Sequence, residues 1–217
     1  MSLIIREIKA KSILTKSGIP GVDYYVNPYI GCSHGCRYCY ATFMKRYTGH
    51  TEAWGGFVDV KINAPEILQK QLKRAKRGRV FISSVTDAYQ PNESKYKLTR
   101  QCLEALLQCQ FPVDILTKSP LVLRDMDIIK KFKDIAVGIT ITTNDEEISR
   151  VFEPNAPSIM ARMRALKTLH DNRINTYAFI GPVLPMNPEA LSEKINPHVD
   201  SIIIDRMNYP SNTFTIY

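Results

Sequence analysis

Three of the five cysteines of this 217-residue chain lie on one short stretch. Cys32, Cys36 and Cys39 follow a C-x3-C-x2-C spacing, which brings three sulfurs together on a single loop. Thiolates are soft ligands, and a group of them selects zinc, Cu(I) or an iron–sulfur cluster. No second cysteine or histidine pair follows of the kind that closes a four-ligand zinc site. Three thiolates on a [4Fe–4S] cube would leave one iron open to a further ligand, as a catalytic metal centre requires.

Two other interpretations of this loop stay open. One is a zinc site in which His34 is the fourth ligand. The other is a disulfide, which fits less well because three cysteines leave one unpaired and nothing in the sequence indicates secretion. No stretch is long and apolar enough for a membrane span, and Met1–Arg6 is too short and too charged for a signal peptide. We therefore expect a reducing, cytoplasmic location and no membrane contact.

The composition favours one sizeable domain, because 44% of the residues are hydrophobic. The formal charge of +8 favours a polyanionic partner only mildly, since net charge governs non-specific association and not mechanism. A basic run from 70 to 79 closes the first predicted helix, where cations suit the helix C-terminus. We expect that run to be a solvated face at the end of the fold opposite the cysteine loop.

Apolar strands alternate with amphipathic helices from about residue 23 onward, and strands of this kind pair in parallel with helices as crossovers. The alternation fits an open doubly wound sheet or an incomplete barrel, because a closed barrel needs eight strands. Residues 1–21 are expected to form a basic arm or a small sheet, and 22–217 the main domain. The predicted strands lie at 23–29, 80–82, 113–116, 135–141, 174–180 and 201–204.

Small polar residues follow four consecutive predicted strands. In parallel barrels, ligands bind at the C-terminal ends of the strands, so these residues are candidates for a common site. Each could instead be a helix cap or a turn, and for Ser119 we expect the cap. The residues are Ser83, Ser84, Thr86 and Asp87 after the second strand, Thr117, Lys118 and Ser119 after the third, Thr140, Thr142 and Thr143 after the fourth, and 181–183 after the fifth.

The cysteine loop, with Tyr38 before its last cysteine, resembles the signature of radical S-adenosylmethionine (SAM) enzymes. Further motifs are similar to the branch of that superfamily related to spore photoproduct lyase, over about Asn27 to Asn208. The resemblance implies an α/β fold, a partial (β/α)6 TIM-like barrel with the cysteine loop after the first strand. The motifs are Asn27-Pro28-Tyr29, Cys39-Tyr40-Ala41, the 84–91 stretch, Leu98-Thr99-Arg100, the 116–119 stretch and Leu123-Arg124-Asp125.

The resemblance also implies cofactors and the residues that bind them. It implies a [4Fe–4S] cluster and SAM, which is cleaved reductively to a 5′-deoxyadenosyl radical in a lyase- or transferase-type reaction. An electron donor such as a ferredoxin or flavodoxin is implied as a partner. The implied residues are Cys32, Cys36 and Cys39 for the cluster, Tyr38 and Tyr40 for adenosine, Ser84 and Asp87 for the methionine end, Lys118 for the SAM carboxylate, and Thr140 or Thr142 for the ribose.

The substrate is not identified by these motifs, and nucleic acid is the leading candidate. A peptide or a small molecule is the enzymatic alternative, and a non-catalytic zinc or iron–sulfur interaction module is the other. Basic side chains at the catalytic end would bind phosphates, and aromatic ones would stack on bases. The candidates are Lys45, Arg46, Arg124, Arg150 and Arg206, with Tyr47, Trp54, Phe57 and Tyr89.

The segment 81–87 is informative for what it lacks. The related lyase is understood to return a hydrogen atom to its product from a cysteine near the end of its second strand. The corresponding segment here contains no cysteine. Cys102 and Cys109 lie seven residues apart on one predicted helix, so we expect both in the core. The chain is therefore not expected to repair spore photoproduct.

Overall fold

The structure, a computed structural model, describes residues 3–208. Within that range no helix is long and apolar enough to span a bilayer. The strands are β1 (Ile4–Ile8), β2 (Leu14–Lys16), β3 (Tyr24–Val26), β4 (Tyr29–Ile30), β5 (Phe57–Lys61), β6 (Val80–Ile82), β7 (Val113–Thr117), β8 (Ile135–Thr140), β9 (Asn175–Ile180) and β10 (Ser201–Ile204). The helices are α1 (Ala64–Leu72), α2 (Glu93–Tyr96), α3 (Leu98–Gln108), α4 (Met126–Ile129), α5 (Glu146–Phe152), α6 (Ile159–Asp171) and α7 (Pro188–Ile195), with 3₁₀ helices at Tyr40–Tyr47, Pro120–Asp125 and Asn196–His198.

The main sheet has seven strands in the order β10-β9-β8-β7-β6-β3-β2. Six of these strands, β3, β6, β7, β8, β9 and β10, run parallel, and their order in the sheet is their order in the sequence. Strand β2 pairs antiparallel with β3 at one edge of the sheet. The predicted parallel α/β fold is therefore confirmed. The arrangement is that of a partial (β/α)6 barrel, since β2 and β10 lie at the two ends of the sheet and do not pair. The cysteine loop follows the first parallel strand, as predicted.

A second, three-stranded sheet has the order β1-β5-β4. Strand β1 pairs parallel to β5, with Ile4 opposite Phe57. Strand β5, which has four of its five residues buried, is not among the strands predicted from the sequence. The N-terminal segment contributes one strand to each sheet.

Strand β8 is buried along its whole length, as expected for a strand covered on both faces. Helix α1 begins after Asn63, whose side chain makes no capping bond. That side chain instead accepts from the backbone N–H of Ala10 at 2.8 Å and donates to the Ala10 carbonyl at 3.1 Å, which ties the N-terminal segment to the helix. Ser119 does cap the turn that follows β7, because its Oγ accepts from the N–H of Leu121 at 3.2 Å.

The basic run lies at the N-terminal end of β6, away from the cysteine loop. Lys73 and Arg74 are exposed, and Arg79 forms ion pairs with Asp114 at 3.2 Å and Asp134 at 2.8 Å. The exposure of Lys73 and Arg74 agrees with the solvated face predicted from the sequence. Cys102 lies on α3 and is fully buried, as predicted. Cys109 follows the last residue of α3 and is exposed, so the prediction that it lies in the core was wrong.

Candidate cluster and cofactor site

The cysteine loop begins with a turn that only glycine can make. Gly31 has a φ of +81°, and a Cβ there would lie 2.5 Å from the carbonyl oxygen of Phe57. Two side chains that follow β6 hold the loop in place. Thr86 donates from its hydroxyl to the Gly31 carbonyl at 2.6 Å, and the Gln90 side-chain oxygen accepts from the Ser33 N–H at 3.0 Å.

The three thiols of the loop line one cavity of about 820 Å³. Cys32 and Cys36 are buried, Cys39 is half-buried, and none is in a disulfide. Burial raises the pKa of Cys36 to about 11 and that of Cys39 to about 12. Since a metal is bound by thiolates, loading the site must release these protons. Three soft ligands on one wall of a cavity fit an iron–sulfur cluster.

His34 lies between the first two cysteines but is directed at a carboxylate. Its Nδ1 is 3.4 Å from an oxygen of Asp87, and its side chain is almost fully buried. Burial lowers the pKa of His34, but Cys32 and Asp87 outweigh it and raise that pKa to about 10. Within residues 3–208, no group of three or more His, Cys, Asp or Glu side chains converges to hold a single metal ion. His34 is thus held beside Asp87 at the start of the cysteine loop.

Asp87 lines the cavity and joins the ends of β6 and β7. It accepts from the Thr117 hydroxyl at 2.6 Å and from the backbone N–H groups of Lys118 and Tyr89, each at 2.8 Å. Burial raises the pKa of Asp87, but His34 and these donors lower it well below its usual range. Asp87 is thus a charged carboxylate whose oxygens are already engaged by the protein.

Lys118 follows β7 and faces the same cavity. Its side chain is 14% exposed, and its Nζ is 5.6 Å from the ring centroid of Tyr38. The nearest carboxylate oxygen is that of Glu153, 3.8 Å from Nζ, which is beyond hydrogen-bond distance. Burial lowers the pKa of Lys118, but Cys36 and Glu153 raise it above its ordinary value, so the ammonium stays charged.

Glu153 and Arg162 are buried residues that the sequence interpretation missed. Arg162 Nη2 is 2.5 Å from Glu153 Oε2, and both side chains are excluded from solvent. Tyr38 donates its hydroxyl to Glu153, and Thr142 donates to the same oxygen at 3.0 Å. A signal was present in the sequence: Arg162 lies on the apolar stripe of α6 with Ile159, Ala165 and Leu169, where an unpaired cation is not expected.

The remaining predicted site residues occupy different depths. Tyr40 is 41% exposed at the cavity wall and donates its hydroxyl to the Ser84 carbonyl. The Ser84 hydroxyl accepts from Asn27 at 3.1 Å and also lies in the wall. Thr140 lines the cavity, whereas Thr142 is fully buried and does not. Thr140 is therefore the better placed of the two threonines for a ligand.

With this geometry in view, comparison with known proteins identifies the family. Residues 26–195 match the family model of the radical SAM superfamily. The chain belongs to the radical SAM superfamily.

Two individual relatives of this radical SAM protein differ in how much of their own length it matches. An uncharacterized protein of Methanocaldococcus jannaschii is 45% identical over 182 residues, which are 83% of this chain and 68% of the relative. A protein of Pseudomonas phage M6 named radical SAM Nalpha-GlyT isomerase is 25% identical over 161 residues, which are 73% of this chain and 32% of the phage protein. The chain thus spans about a third of the phage protein.

A spore photoproduct lyase variant solved with bound AdoMet and dinucleoside spore photoproduct has the same fold. The TM-score is 0.70 at 15% identity, over 94% of this chain and 62% of that structure. The chain therefore spans less than two thirds of the solved protein.

A second, shallower basin adjoins the cofactor cavity of the radical SAM fold. It measures about 610 Å³, and Tyr40 lines both spaces. Its cations are Lys45, which donates to the Thr51 carbonyl at 2.9 Å, and Arg46, which donates through Nε to the Phe43 carbonyl at 3.1 Å. Among the residues that the structure describes, no carboxylate lines this basin.

The other substrate candidates are divided by their burial. Arg206 lines the cofactor cavity, and Tyr47 is 70% exposed beside Arg46. Arg124 is bound to Glu93 at 2.7 Å and is not free for a substrate. Phe57 and Tyr89 are fully buried, so the prediction that they offer stacking surfaces was wrong. Trp54 is half-buried edge-on against Phe57, and Arg150 is exposed on α5 without lining either space.

Proposed function

We propose that the protein is an enzyme that holds a [4Fe–4S] cluster on Cys32, Cys36 and Cys39 and cleaves SAM reductively. The cluster, once reduced, supplies the electron that generates a 5′-deoxyadenosyl radical from SAM. The observation that carries the proposal is the cavity itself, which is lined by three free thiols and the charged Lys118. Its volume of about 820 Å³ is within the range of small-molecule sites.

The side chains around the thiols have separate tasks in this proposal. Lys118 donates to the carboxylate of SAM, because its ammonium has no hydrogen-bond acceptor among the described residues. Tyr40 and Tyr38 offer ring surface to the adenosine, and Thr140 offers a hydroxyl to the ribose. Asp87 and Ser84 border the methionine end. Since its oxygens already accept three protein donors, Asp87 acts mainly by fixing the ends of β6 and β7.

The partner that reduces the cluster is a low-potential electron carrier such as a ferredoxin or flavodoxin. Free buried thiols fit a reducing, cytoplasmic compartment. The reaction on the substrate is of the lyase or transferase type.

The substrate class that we propose is single-stranded nucleic acid. Its support is the basin beside the cavity, where Lys45 and Arg46 have no carboxylate partner among residues 3–208. Arg46 also lies 6.0 Å from the ring centroids of both Phe43 and Tyr47. Cations that alternate with aromatic rings suit a phosphate backbone with stacked bases. A peptide or small-molecule substrate is the alternative, and it would not need these cations.

The enzymatic proposal is tested by anaerobic reconstitution with iron and sulfide, reduction with dithionite, and addition of SAM. We expect four irons per chain and release of 5′-deoxyadenosine, with both lost in Cys36→Ala. Bound zinc without 5′-deoxyadenosine would instead identify a metal-binding module and refute the proposal.

The substrate class is tested by fluorescence anisotropy with a labelled single-stranded oligonucleotide at several salt concentrations. Each lost phosphate contact lowers the slope of log K against log salt by about 0.7. Lys45→Ala/Arg46→Ala should therefore weaken binding and lower the slope by about 1.4. The matched control is Lys73→Ala/Arg74→Ala, which removes the same charge from the far end of the fold. Equal effects of the two double variants would show that net charge alone drives binding, and would contradict this basin as the contact surface.

A further inference from the structure

Glu153 is the point at which four separate parts of the cofactor site meet. It follows α5 directly, and its side chain is excluded from solvent. Its partners are Tyr38 on the cysteine loop, Thr142 after β8, Arg162 on α6 and Lys118 after β7. One buried carboxylate thus links the loop that carries the thiols to the strand end that carries the cavity's cation.

Four neighbours contact the Glu153 oxygens closely, whereas Lys118 lies beyond hydrogen-bond distance from them. A carboxylate offers about four acceptor positions. Oε2 is engaged by Arg162 at 2.5 Å and by the Ser149 hydroxyl at 3.3 Å, and Oε1 accepts from Tyr38 and from Thr142 at 3.0 Å. Three hydrogen bonds and the ion pair with Arg162 therefore already engage both oxygens.

Lys118 is left as the fifth neighbour, with Nζ 3.8 Å from Oε1. Within residues 3–208, its ammonium makes no hydrogen bond in the structure. The charge of Glu153 is already balanced by Arg162, so the group of three carries one surplus positive charge next to the cavity. Glu153 lies close enough to attract the ammonium, but the N–H donors of Lys118 have no acceptor among the described residues. These donors are therefore left for an anionic ligand.

We infer that Glu153 is a positioning residue for the carboxylate of SAM. Its charge attracts the Lys118 ammonium without forming a hydrogen bond to it, and its bond to Tyr38 fixes the position of Lys118 relative to the cysteine loop. This inference rests on the proposed function. Neither Glu153 nor Arg162 lines the cavity, so the effect of Glu153 on the cofactor is exerted through Lys118 and Tyr38. If Lys118 bonded Glu153 fully, its donors would be directed at the protein and not at the ligand.

The test is a double-mutant cycle on SAM affinity. Glu153→Gln alone would leave Arg162 buried and unpaired, so Glu153→Gln/Arg162→Gln is used to remove both charges of the pair and preserve folding. Its cycle partner is Lys118→Met. Affinity is measured from the SAM-dependent change in the EPR spectrum of the reduced cluster, which does not depend on turnover. Iron content and thermal midpoint are measured for every variant.

The paired variant is expected to reconstitute four irons and to bind SAM about tenfold more weakly. Because its effect passes through Lys118, the loss should be strongly non-additive with that of Lys118→Met. A merely structural role predicts additive losses, which would overturn the inference, as would unchanged affinity in the paired variant. The matched control, Glu93→Gln/Arg124→Gln, removes another ion pair with a fully buried carboxylate that does not line the cavity, and it should leave affinity unchanged. Asp125, the other partner of Arg124, keeps its ion pair with Arg100.

The outcome for the inference is separate from that for the proposed function. Release of 5′-deoxyadenosine by the wild-type protein tests the function. Additive losses in the cycle, with that release intact, would remove only the role of Glu153. Absence of 5′-deoxyadenosine and of any SAM-dependent EPR change in the wild-type protein would remove both.

Discussion

Replacing Lys118 with Met should weaken SAM binding without weakening the fold. Methionine keeps the length of the lysine stem, so the change removes the charge and little packing. A charge-assisted hydrogen bond contributes about 1.5–3 kcal/mol, which corresponds to a loss of affinity of about 10- to 150-fold. The side chain is only 14% exposed, so water replaces little of the lost bond and we expect the upper part of that range.

The same structure predicts the effect on stability. The Lys118 ammonium makes no hydrogen bond that the described residues show, and Glu153 is already paired with Arg162 at 2.5 Å. Its removal takes away a largely buried charge whose desolvation is offset by Cys36 and Glu153, which together raise the pKa of Lys118. The free energy of unfolding of Lys118→Met should therefore lie within about 1 kcal/mol of the wild-type value.

Both effects are measurable on the reconstituted protein. Affinity is obtained from SAM titrations followed by EPR, and stability from urea denaturation of the apo-protein. The control is Lys167→Met, which removes the same charge from a side chain that is 54% exposed on α6. Wild-type affinity in Lys118→Met, with a full complement of iron, would refute the assignment of Lys118 to the SAM carboxylate.

Three further results are expected. Cys36→Ala should lose the iron and absorbance of the cluster, whereas Cys102→Ala should retain both because Cys102 is buried away from the cavity; a full cluster in Cys36→Ala would contradict the ligand assignment. Gly31→Ala should lower the free energy of unfolding by about 2 kcal/mol or more, because φ is +81° and the new Cβ meets the Phe57 carbonyl, and urea denaturation measures it. Glu153→Gln should cost about 3–5 kcal/mol by the same assay, because it leaves the charge of Arg162 buried and unpaired.

The fold could be predicted where the information was local. Runs such as 135–141 are apolar on both faces, and a buried parallel strand is the structure that satisfies such a run. Strand β5 was missed because its partners are β1 and β4, and β1 lies about fifty residues earlier in the chain. Its sequence, FVDVK, contains both an acid and a base, and so it resembles an exposed connection. Pairing of this kind is decided by tertiary contacts that periodicity does not reveal.

The site was predictable to a similar extent. Parallel topology alone brings the ends of β6, β7 and β8 to one edge, so the polar residues there were found from their positions. The pairing of Glu153 with Arg162 was not found, because it joins the end of one helix to the face of the next. The burial of individual aromatic residues was not predicted either. Tyr89 is buried and Tyr47 is exposed, but the sequence shows the same side chain at both positions and only packing distinguishes them.

The hydrogen donors available at the cavity bear on whether the protein repairs spore photoproduct. Among the described residues, the only cysteines that line the cavity are those of the cysteine loop. Cys102 is buried on α3, and Cys109 is exposed at the end of that helix. Ser83 lines the cavity after the second parallel strand, but a hydroxyl O–H bond is too strong to replace a thiol as a donor of hydrogen atoms.

Tyrosine is the remaining donor to consider, and the structure narrows the choice. Tyr89 does not line the cavity, whereas Tyr40 does, with its hydroxyl already donated to the Ser84 carbonyl. Donating the hydroxyl hydrogen atom of Tyr40 to a product would break its hydrogen bond to Ser84, which holds Tyr40 at the cavity wall. We therefore expect the chain not to repair spore photoproduct through repeated turnovers. The assay is anaerobic incubation with the thymine dinucleotide photoproduct, SAM and reductant. Release of 5′-deoxyadenosine without repair is the expected result, and a clean multiple-turnover return to thymines would show that Tyr40 or another group does act as donor.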